Sequence, residues 1–258
     1  MTGLCVENLS VKLGGVTILK DVSFAVGQGE VVGLIGPNGA GKSTALRAAL
    51  GLVERLSGSV RAGEIDVTSL EPRERAKLMS YVPQGAPVHW PLTAERTVAL
   101  GRVPHLNPWQ ELSPKDEAAI EASMRQTDCW AFRERLVTTL SGGERSRVLL
   151  ARTLAVEAKY ILADEPTASL DPMHQLQVMD ILRSEAAAGT GVLVVIHDLA
   201  QALRYCDRLV LLLDGTCAVQ GSPRDVLTDE HLRTAFGVEV SRWDENGLQF
   251  IVPNRVIE

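Results

Sequence analysis

Residues 36–43 read Gly-Pro-Asn-Gly-Ala-Gly-Lys-Ser, and the rest of the sequence is most easily understood outward from them. They fit the phosphate-binding pattern G-x-x-x-x-G-K-[ST]. An apolar run with the length of a buried strand, Val31–Ile35, precedes them, and an Ala- and Leu-rich segment, Ser43–Leu52, follows as a predicted helix. A strand, a glycine-rich loop and a helix start are the context in which this pattern binds nucleotide phosphates. The alternative is a glycine-rich turn that precedes a lysine by chance.

The loop has the chemistry that an anion needs. Its glycines, Gly36, Gly39 and Gly41, allow positive φ angles and leave no side chain in the way of a phosphate. Unpaired N–H groups of the loop and of the helix N-terminus would point at phosphate oxygens, and the helix dipole adds positive potential. Lys42 is predicted to bring a full charge to the β- and γ-phosphates, and the Ser43 hydroxyl to ligate Mg²⁺. The predicted nucleotide-binding set here is Gly36, Pro37, Asn38, Gly39, Ala40, Gly41, Lys42, Ser43 and Thr44.

Length and composition narrow the function classes. The 258 residues can form one large domain or two lobes, and their net charge of −6 argues against a protein that binds nucleic acid by neutralising phosphates. The longest uncharged stretches, such as residues 186–196, are too short to cross a bilayer. The N-terminus lacks the pattern of a signal peptide, and the four cysteines lack metal-ligand or disulfide spacing. This composition favours a reducing cytosol.

The pattern of residue types changes along the chain. Residues 1–30 alternate apolar and polar positions around glycine turns, which predicts strands. A main domain is predicted over residues 1–237, and prolines and helical patterns mark a helical subdomain inserted within it at about residues 86–157. Three of the four tryptophans lie in that insert and are predicted to be core or interface anchors: Trp90, Trp109 and Trp130. Residues 238–258 are predicted to form an appended β-rich tail of unknown role.

A second glycine-bearing helix start lies at Ser141-Gly142-Gly143-Glu144. Ser141 and Glu144 have the spacing of a capping box at the start of a helix that is predicted to run to about Ala158. Two glycines at that point lower helix propensity, which is easier to explain if an anion must approach the backbone closely. A well-capped helix without a ligand remains the other explanation.

Polar residues follow two predicted buried strands. Asp164 and Glu165 come directly after the apolar run Tyr160–Ala163. Two carboxylates at the tip of a buried strand are costly unless they are paired or bind a metal. In a doubly wound sheet this tip faces the ligand crevice, so we expect Asp164 to reach a Mg²⁺ ion and Glu165 to order or deprotonate a water. The alternative is a solvated turn.

Three further polar residues are ambiguous by themselves. His197 follows the apolar strand Val192–Ile196, and a histidine there is either structural or, beside a phosphate loop, a γ-phosphate contact. Gln84 follows Pro83 at a predicted strand end, where a glutamine is by default solvent-exposed. Asp171 precedes Pro172 and is by default a helix N-cap.

Taken in order, these segments resemble the ATP-binding cassette family over about residues 3–237. The matching segments are Gly36–Ser43, Gln84, Leu140–Glu144, Ile161–Glu165, Ser169–Asp171 and His197. The resemblance implies an α/β P-loop NTPase cassette with a RecA-like core, an N-terminal antiparallel β subdomain and an inserted helical signature subdomain. It implies an enzyme, a Mg²⁺-dependent ATPase coupled to transport.

The resemblance also assigns roles. Gln84 is the loop glutamine that touches Mg²⁺ together with Ser43 and Asp164, and His197 is the switch histidine. The implied catalytic residues are Glu165, His197, Lys42 and Gln84. The residues Ser141, Gly142, Gly143 and Glu144 are the signature, and Asp171 joins the nucleotide-binding set. Ser141 and Gly143 would hold the γ-phosphate of ATP bound to a second copy of the chain.

A closer resemblance is to ATPase subunits that import iron chelates such as siderophores and haem, or cobalamin. It rests on Leu100–His105, which looks like their Gly-Arg-x-Pro-His segment, and on His174-Gln175. The implied assembly is a homodimer with two integral-membrane permease subunits and, indirectly, a periplasmic or lipoprotein substrate-binding protein. It would act at the cytoplasmic face of the inner plasma membrane, without nucleic acid. Another import substrate, or a non-transport cassette ATPase, remains an alternative.

Two departures from the family pattern matter. Many members carry an aromatic residue about 25 positions before the phosphate-loop lysine, to stack on adenine. Here Leu13 and Val16 occupy that neighbourhood, so selection of ATP over GTP is open. Arg145 stands after the signature where glutamine is common, and its side chain is predicted to point outward.

Overall fold

The computed structural model describes residues 3–85, 90–168, 170–245 and 248–257, and three sheets with flanking helices run through them. The strands are β1 (Gly3–Leu13), β2 (Val16–Gly27), β3 (Val31–Ile35), β4 (Ser57–Ala62), β5 (Ile65–Asp66), β6 (Met79–Val82), β7 (Tyr160–Asp164), β8 (Gly191–Val195), β9 (Arg208–Leu213), β10 (Thr216–Gly221), β11 (Val238–Glu245) and β12 (Leu248–Val256). The helices are α1 (Lys42–Ala49), α2 (Pro72–Leu78), α3 (Ala94–Ala99), α4 (Pro114–Gln126), α5 (Gly142–Leu154), α6 (Pro172–Ala187), α7 (Leu199–Tyr205), α8 (Pro223–Val226) and α9 (Asp229–Phe236).

The central sheet has the strand order β10-β9-β3-β8-β7-β6. Its strands run parallel except β10, which pairs antiparallel with β9 at one edge. Every residue of β3, β7 and β8 is buried, as expected for strands that helices cover on both faces. The carboxyl ends of these three strands meet at one edge of the sheet, and each leads into a predicted site segment.

The second sheet, β2-β1-β4-β5, is antiparallel and covers one face of α1. Its inward side chains share a buried cluster with Leu46 of α1 and with Leu34 and Leu193 of the central sheet. Helix α1 is therefore packed between two sheets. On the other face of the central sheet, a second cluster joins α6 and α7 to the strands. This arrangement fixes the start of α1 next to the end of β3.

Helices α3, α4 and α5 form a separate small core around Val98, Met124 and Val148, within the predicted helical insert. Helix α5 also contributes Leu150 and Leu154 to the core of the central sheet, so it joins the two regions. It ends at Leu154, earlier than the predicted Ala158, and the backbone then turns at Glu157 with a φ of 55°.

The tryptophans of the insert do not all behave as predicted. Trp130 packs on the small core, with the guanidinium groups of Arg125 and Arg133 over its ring at 5.0 and 4.9 Å from the centroid. Trp90 is 73% exposed and Trp109 is fully exposed, so neither is a core anchor of this chain. For these two, the interface alternative stays open.

Strands β11 and β12 form an antiparallel hairpin in the segment predicted as a β-rich tail. Trp243 and Phe250 stack across it with ring centroids 5.2 Å apart, and Ile251 is buried in the core beside α7. The hairpin is thus packed on the cassette. Among the described residues, every helix is too short or too polar to traverse a bilayer.

Candidate functional site

The phosphate-binding loop connects β3 to α1, and its glycines adopt the positive φ angles that were predicted: 145° at Gly36, 84° at Gly39 and 94° at Gly41. A Cβ atom on Gly36 would lie 2.2 Å from the carbonyl oxygen of Leu212, and one on Gly41 would lie 2.6 Å from Leu19. Two of the three glycines are therefore required by the fold itself, besides keeping the backbone accessible to an anion.

Lys42 begins α1 with a side chain that is almost fully buried. Its Nζ donates hydrogen bonds to the carbonyl oxygens of Gly36, at 2.8 Å, and Pro37, at 2.9 Å. Burial lowers the pKa of the ammonium group, while the nearby carboxylates of Glu165 and Asp164 act in the opposite direction. The loop thus holds a buried positive charge at its centre, where it can meet a phosphate.

Ser43 and Asp164 meet across the end of the sheet. The Ser43 hydroxyl donates to Asp164 Oδ1 at 2.7 Å, and the carboxylate is completely buried. Tyr81 on β6 and Arg47 on α1 both approach Asp164 Oδ2 at 3.5 Å. A buried carboxylate with these partners is fixed in place, and its oxygens lie beside the first turn of α1.

Glu165 lies one residue further on and faces a different set of partners. Its Oε1 is 2.5 Å from Nε2 of His197, and its Oε2 accepts a hydrogen bond from Nε2 of Gln84 at 2.5 Å. The backbone of Glu165 has a φ of 50°, a conformation that is strained for a residue with a side chain. The structure therefore brings together the three residues that the sequence predicted at the ends of β7, β8 and β6.

A cleft of about 310 Å³ opens over the phosphate-binding loop. It is lined by loop residues together with Glu165, His197 and Ile18 of β2. The Ser43 hydroxyl and the Asp164 carboxylate offer the oxygen atoms that Mg²⁺ prefers, so these residues fit the predicted ion. Among the described residues there is no group of three or more His, Cys, Asp and Glu side chains that could hold a metal unaided.

The signature residues form the start of α5. Ser141 is the N-cap: its hydroxyl accepts from the Glu144 N–H at 3.2 Å, and its own N–H donates to Glu144 Oε2 at 2.8 Å. Arg135 holds the other oxygen of Glu144 at 2.8 Å. The Ser141 N–H, ahead of Arg135, lowers the pKa of Glu144, which keeps the capping carboxylate ionised.

The two signature glycines stand in open space. Apart from the chain neighbours and the backbone of its own helix, no described atom lies within 4 Å of a Cβ built on Gly142, and a Cβ on Gly143 would meet only His174 Nδ1, at 3.9 Å. Within the described part of the chain, residues 141–144 do not line the cleft over the phosphate-binding loop. Gly142 instead lines an adjoining cleft of about 560 Å³, together with Gln84 and with Glu165, which lines both clefts. In one copy of the chain, the second predicted nucleotide-binding segment therefore does not line the cleft over the phosphate-binding loop.

Asp171 caps α6 and lies on the signature side of the molecule. Its Oδ1 accepts from the His174 N–H at 3.0 Å, and its Oδ2 is 2.7 Å from His174 Nδ1. The hydrogen bond from the His174 backbone is the first cause that lowers the pKa of Asp171. Asp171 is exposed and is not among the described residues that line the cleft over the phosphate-binding loop. Ser169, which belongs to the segment Ser169–Asp171 of the family resemblance, lies outside the described residues.

The segment Leu100–His105 is remote from the phosphate-binding loop and holds the far end of α5. The buried guanidinium of Arg102 donates to Asp116 at 2.9 Å, and to the Ala155 carbonyl oxygen and Glu157 at 2.7 Å each. His105 Nε2 lies 2.8 Å from the Val156 carbonyl oxygen. This segment is thus a structural clamp on the turn that ends α5.

Several site residues were not predicted. Tyr81, Arg135 and Ile18 carry no motif, and only the folded chain shows that they meet Asp164, Glu144 and the phosphate-loop cleft. The prediction that Arg145 points outward is wrong. Arg145 is half-buried and lines the cleft that contains Gln84 and Gly142, because the first turn of α5 presents that side to it.

The sequence matches a known family and curated relatives. The model of the family described as "ABC transporter" matches residues 19–168. The cobalamin import ATP-binding protein BtuD of Halobacterium salinarum is 43% identical over 239 residues, which are 92% of this chain and 60% of that protein. The hemin import ATP-binding protein HmuV of Rhodococcus jostii is 43% identical over 253 residues, 96% of this chain and 85% of that protein. The chain thus spans less than two thirds of the Halobacterium relative and most of the Rhodococcus one.

Solved structures show the same fold. A chain of a metal-chelate type ABC transporter in an inward-facing conformation superposes with a TM-score of 0.84 at 25% identity, covering 98% of both chains. A dimeric bacterial ABC transporter cassette superposes with a TM-score of 0.76 at 28% identity, covering 86% of this chain and 99% of that one.

Proposed function

Because this chain belongs to the ABC transporter family, we propose that it is the ATP-hydrolysing subunit of an importer of an iron chelate, such as a siderophore or haem, or of cobalamin. One observation carries the enzymatic part: the Glu165 carboxylate is held between Gln84 and His197 on the cleft that contains Lys42. A carboxylate so placed can act on a water beside a terminal phosphate.

In the proposed reaction, the phosphate-binding loop holds the nucleotide. Backbone N–H groups of the loop and the Lys42 ammonium bind the β- and γ-phosphates, in place of the loop carbonyls that Lys42 now contacts. Ser43, Asp164 and Gln84 are the residues that would hold Mg²⁺, whose contribution is to neutralise charge on the phosphate oxygens.

Glu165 is the proposed general base. It would accept a proton from the attacking water, and His197 would contact the γ-phosphate from the neighbouring strand end. The hydrogen bonds from Gln84 and His197 orient the carboxylate before substrate arrives, so that less reorganisation is needed at the moment of reaction. The strained backbone at Glu165 is consistent with this use, since strain of this kind concentrates at functional sites.

We propose that the signature acts on the nucleotide of a second copy. Within the described part of the chain, residues 141–144 do not line the cleft over the phosphate-binding loop, and the space around Gly142 and Gly143 is open to an incoming group. A homodimer that sandwiches two ATP molecules would use this space, with Ser141 and Gly143 on the γ-phosphate and Asp171 on the same surface. The dimeric cassette relative supports this arrangement.

The proposed partners follow from the relatives. The proteins named hemin and cobalamin import ATP-binding proteins support an assembly with two integral-membrane permease subunits and, indirectly, a periplasmic or lipoprotein substrate-binding protein. The proposed location is the cytoplasmic face of the inner membrane, as a peripheral subunit. ATP binding favours the closed dimer and hydrolysis releases it, so the nucleotide shifts the permease between its two states.

The variant Glu165→Gln tests the enzymatic proposal. Gln keeps the shape of the side chain but cannot accept a proton at neutral pH, so we expect turnover to fall by roughly 10²–10⁴-fold, which is about 3–5 kcal/mol of barrier. ATP affinity should be retained. Steady-state phosphate release and equilibrium binding of a fluorescent ATP analogue measure the two quantities.

Two controls complete this test. Glu64→Gln changes a carboxylate that is fully exposed and distant from the cleft, and it should leave turnover unchanged. Near-normal turnover in Glu165→Gln would remove Glu165 from the catalytic role. For the transport part, purification from detergent-solubilised membranes should bring down a polytopic permease, and recovery with a ribosome or another soluble complex would contradict it.

A further inference from the structure

His174 and Gln175 follow Asp171 on the first turn of α6, and they face two different parts of the molecule. His174 lies between the Asp171 carboxylate, 2.7 Å from its Nδ1, and the signature glycine Gly143. Gln175 points the other way and donates from Nε2 to the carbonyl oxygen of Leu170 at 3.0 Å. The pair therefore attaches the segment Leu170–Asp171 on both of its sides.

Gln175 is also the acceptor of a second amide. Gln201 on α7 donates from Nε2 to Gln175 Oε1 at 3.0 Å, and the same Nε2 lies 3.5 Å from Asp198 Oδ2. Asp198 is the N-cap of α7, with its Oδ1 accepting from the N–H groups of Ala200 at 2.8 Å and Gln201 at 3.2 Å. It follows His197 directly in the sequence. A continuous chain of hydrogen bonds thus runs from the residue next to His197 to the carbonyl oxygen next to Asp171.

The orientation of the Gln201 amide is determined by its surroundings. Gln201 is only 9% exposed, and its Nε2 faces two acceptor oxygens. A flipped amide would place its oxygen against those of Gln175 and Asp198. The side chain keeps this orientation even though its Oε1 atom, an acceptor, has no hydrogen-bond partner among the described residues. Movement of either end would break a partly buried hydrogen bond, and this cost makes the two ends move together.

We propose that Gln175 and Gln201 are positioning residues that couple the two nucleotide sites of the dimer. This inference rests on the proposed function, in which His197 contacts the chain's own nucleotide while Asp171 and Gly143 face the nucleotide of the second copy. The chain of hydrogen bonds then links a contact to one nucleotide with contacts to the other. A γ-phosphate sensed by His197 would bias the position of Leu170–Asp171, and hydrolysis at one site would depend on occupancy of the other.

A double-mutant cycle with Gln175→Met and Gln201→Met tests the coupling, since methionine preserves side-chain length and removes the hydrogen bonds. In the full chain, each variant should lower kcat by about 5- to 50-fold, within the usual range for coupling between sites, and should reduce the Hill coefficient for ATP toward 1. ATP affinity of the full chain, measured by equilibrium binding, should stay within about twofold. The double variant should be no worse than the single ones, because both changes interrupt one chain.

Gln177→Met is the matched control. It replaces a partly buried glutamine on the same helix which makes none of these hydrogen bonds among the described residues, and it should retain the parent kcat and Hill coefficient. Losses that multiply in the double variant, with an unchanged Hill coefficient, would overturn the proposal. So would a fall in ATP affinity in step with kcat, or a parent Hill coefficient of 1 in a chain that hydrolyses ATP. A parent chain without ATP hydrolysis would instead contradict the proposed function itself.

Discussion

Two helices of this protein begin beside glycines, and those glycines have different neighbours. At the start of α1, the backbone of Gly36 has a φ of 145°, and a Cβ there would lie 2.2 Å from the Leu212 carbonyl oxygen. At the start of α5, Gly142 and Gly143 have helical backbones. Apart from their chain neighbours and the backbone of α5 itself, no described atom other than His174 Nδ1 lies within 4 Å of their Cβ positions. The packing of the fold requires Gly36 and does not require Gly142 or Gly143.

This difference indicates whether each glycine is required by the fold, by a ligand or by both. In the phosphate-binding loop, structural and functional demands coincide, since the same tight turn that packs against Leu212 also presents its N–H groups. At the signature, the glycines cost helix stability and bring no packing in return. A feature that costs stability without helping the fold is best explained by a ligand, and in the proposed dimer that ligand is the second copy's nucleotide. The predictions below test this separation.

The largest effect is expected from Ser141→Arg, which fills the open space at the signature. Hydrolysis should fall by about 10³-fold, roughly 4 kcal/mol of barrier, while ATP binding by the single chain persists, because the phosphate-binding loop is unchanged. Phosphate release and equilibrium ATP binding measure the two effects.

Ser113→Arg is the matched control for Ser141→Arg, since Ser113 forms the same capping box on α4 with Asp116. Both variants lose an N-cap, at a cost of about 1 kcal/mol in stability. Only Ser141→Arg should lose hydrolysis. Equal losses in both variants would mean that the effect comes from capping and that the site is not shared.

Gly36→Ala changes the start of α1, where we expect the main loss to be in stability. The new Cβ meets a backbone oxygen and the φ angle is one that only glycine adopts readily, so we expect the free energy of unfolding to fall by about 3 kcal/mol or more. Denaturant titration measures it. Gly39→Ala is the comparison variant, because Gly39 has positive φ but open space, and it should cost clearly less. Equal costs would show that the contact with Leu212 is unimportant.

Gly143→Ala should separate stability from activity at the signature. Alanine favours a helix over glycine by about 0.5–1 kcal/mol, and the site has room for a methyl group, so the variant should be as stable as the parent or slightly more stable. Hydrolysis should nevertheless fall by about 10²-fold, since the γ-phosphate of the second copy would be displaced. Thermal unfolding and steady-state turnover are the measurements. Full turnover in Gly143→Ala would contradict the inference that the signature glycines serve a ligand.

The smallest effect concerns the far end of α5, which Arg102 holds. Hydrogen bonds from Ser113, followed by the interaction with Arg102, lower the pKa of Asp116 from 3.8 to about 2. A carboxyl with a depressed pKa stabilises the fold above its unfolded value, and that stabilisation is lost as the pH falls from about 4 to about 2. Asp116→Asn should therefore be less stable than the parent at neutral pH, and the difference should shrink over that range. Acid titrations followed by circular dichroism, with Glu117→Gln as a control on the same helix, measure it. A difference that is independent of pH would contradict the assignment.

Much of the fold followed from the sequence for local reasons. The resemblance to the ATP-binding cassette family and the α/β cassette fold are confirmed. Residues 36–43 are decisive because the pattern specifies its own strand, loop and helix. The N-caps at Ser141 and Asp171 are also where their spacing placed them, because capping depends on only a few neighbouring residues. The roles of the site residues and the domain boundaries remain predictions.

The remainder depends on contacts between distant parts of the chain. Arg102 meets Glu157 at a separation of 55 residues, and no local pattern marks either of them as a partner. Trp109 was predicted to be a core or interface anchor, and its full exposure excludes the core alternative, because hydrophobicity alone does not determine which side of a loop a residue takes. The open space at Gly143 likewise depends on where distant parts of the chain lie. The sequence suggested a ligand there, and only the fold shows that this chain leaves the space free.

The mass of the Glu165→Gln variant in solution, with and without Mg²⁺ and ATP, tests the shared site most directly. Light scattering during size-exclusion chromatography measures it. We predict a monomer without nucleotide and a dimer with it, and a monomer again when Ser141→Arg is added to the same chain, with ATP still bound. A chain that binds ATP and stays monomeric at every concentration, or a dimer that Ser141→Arg does not disturb, would contradict the account.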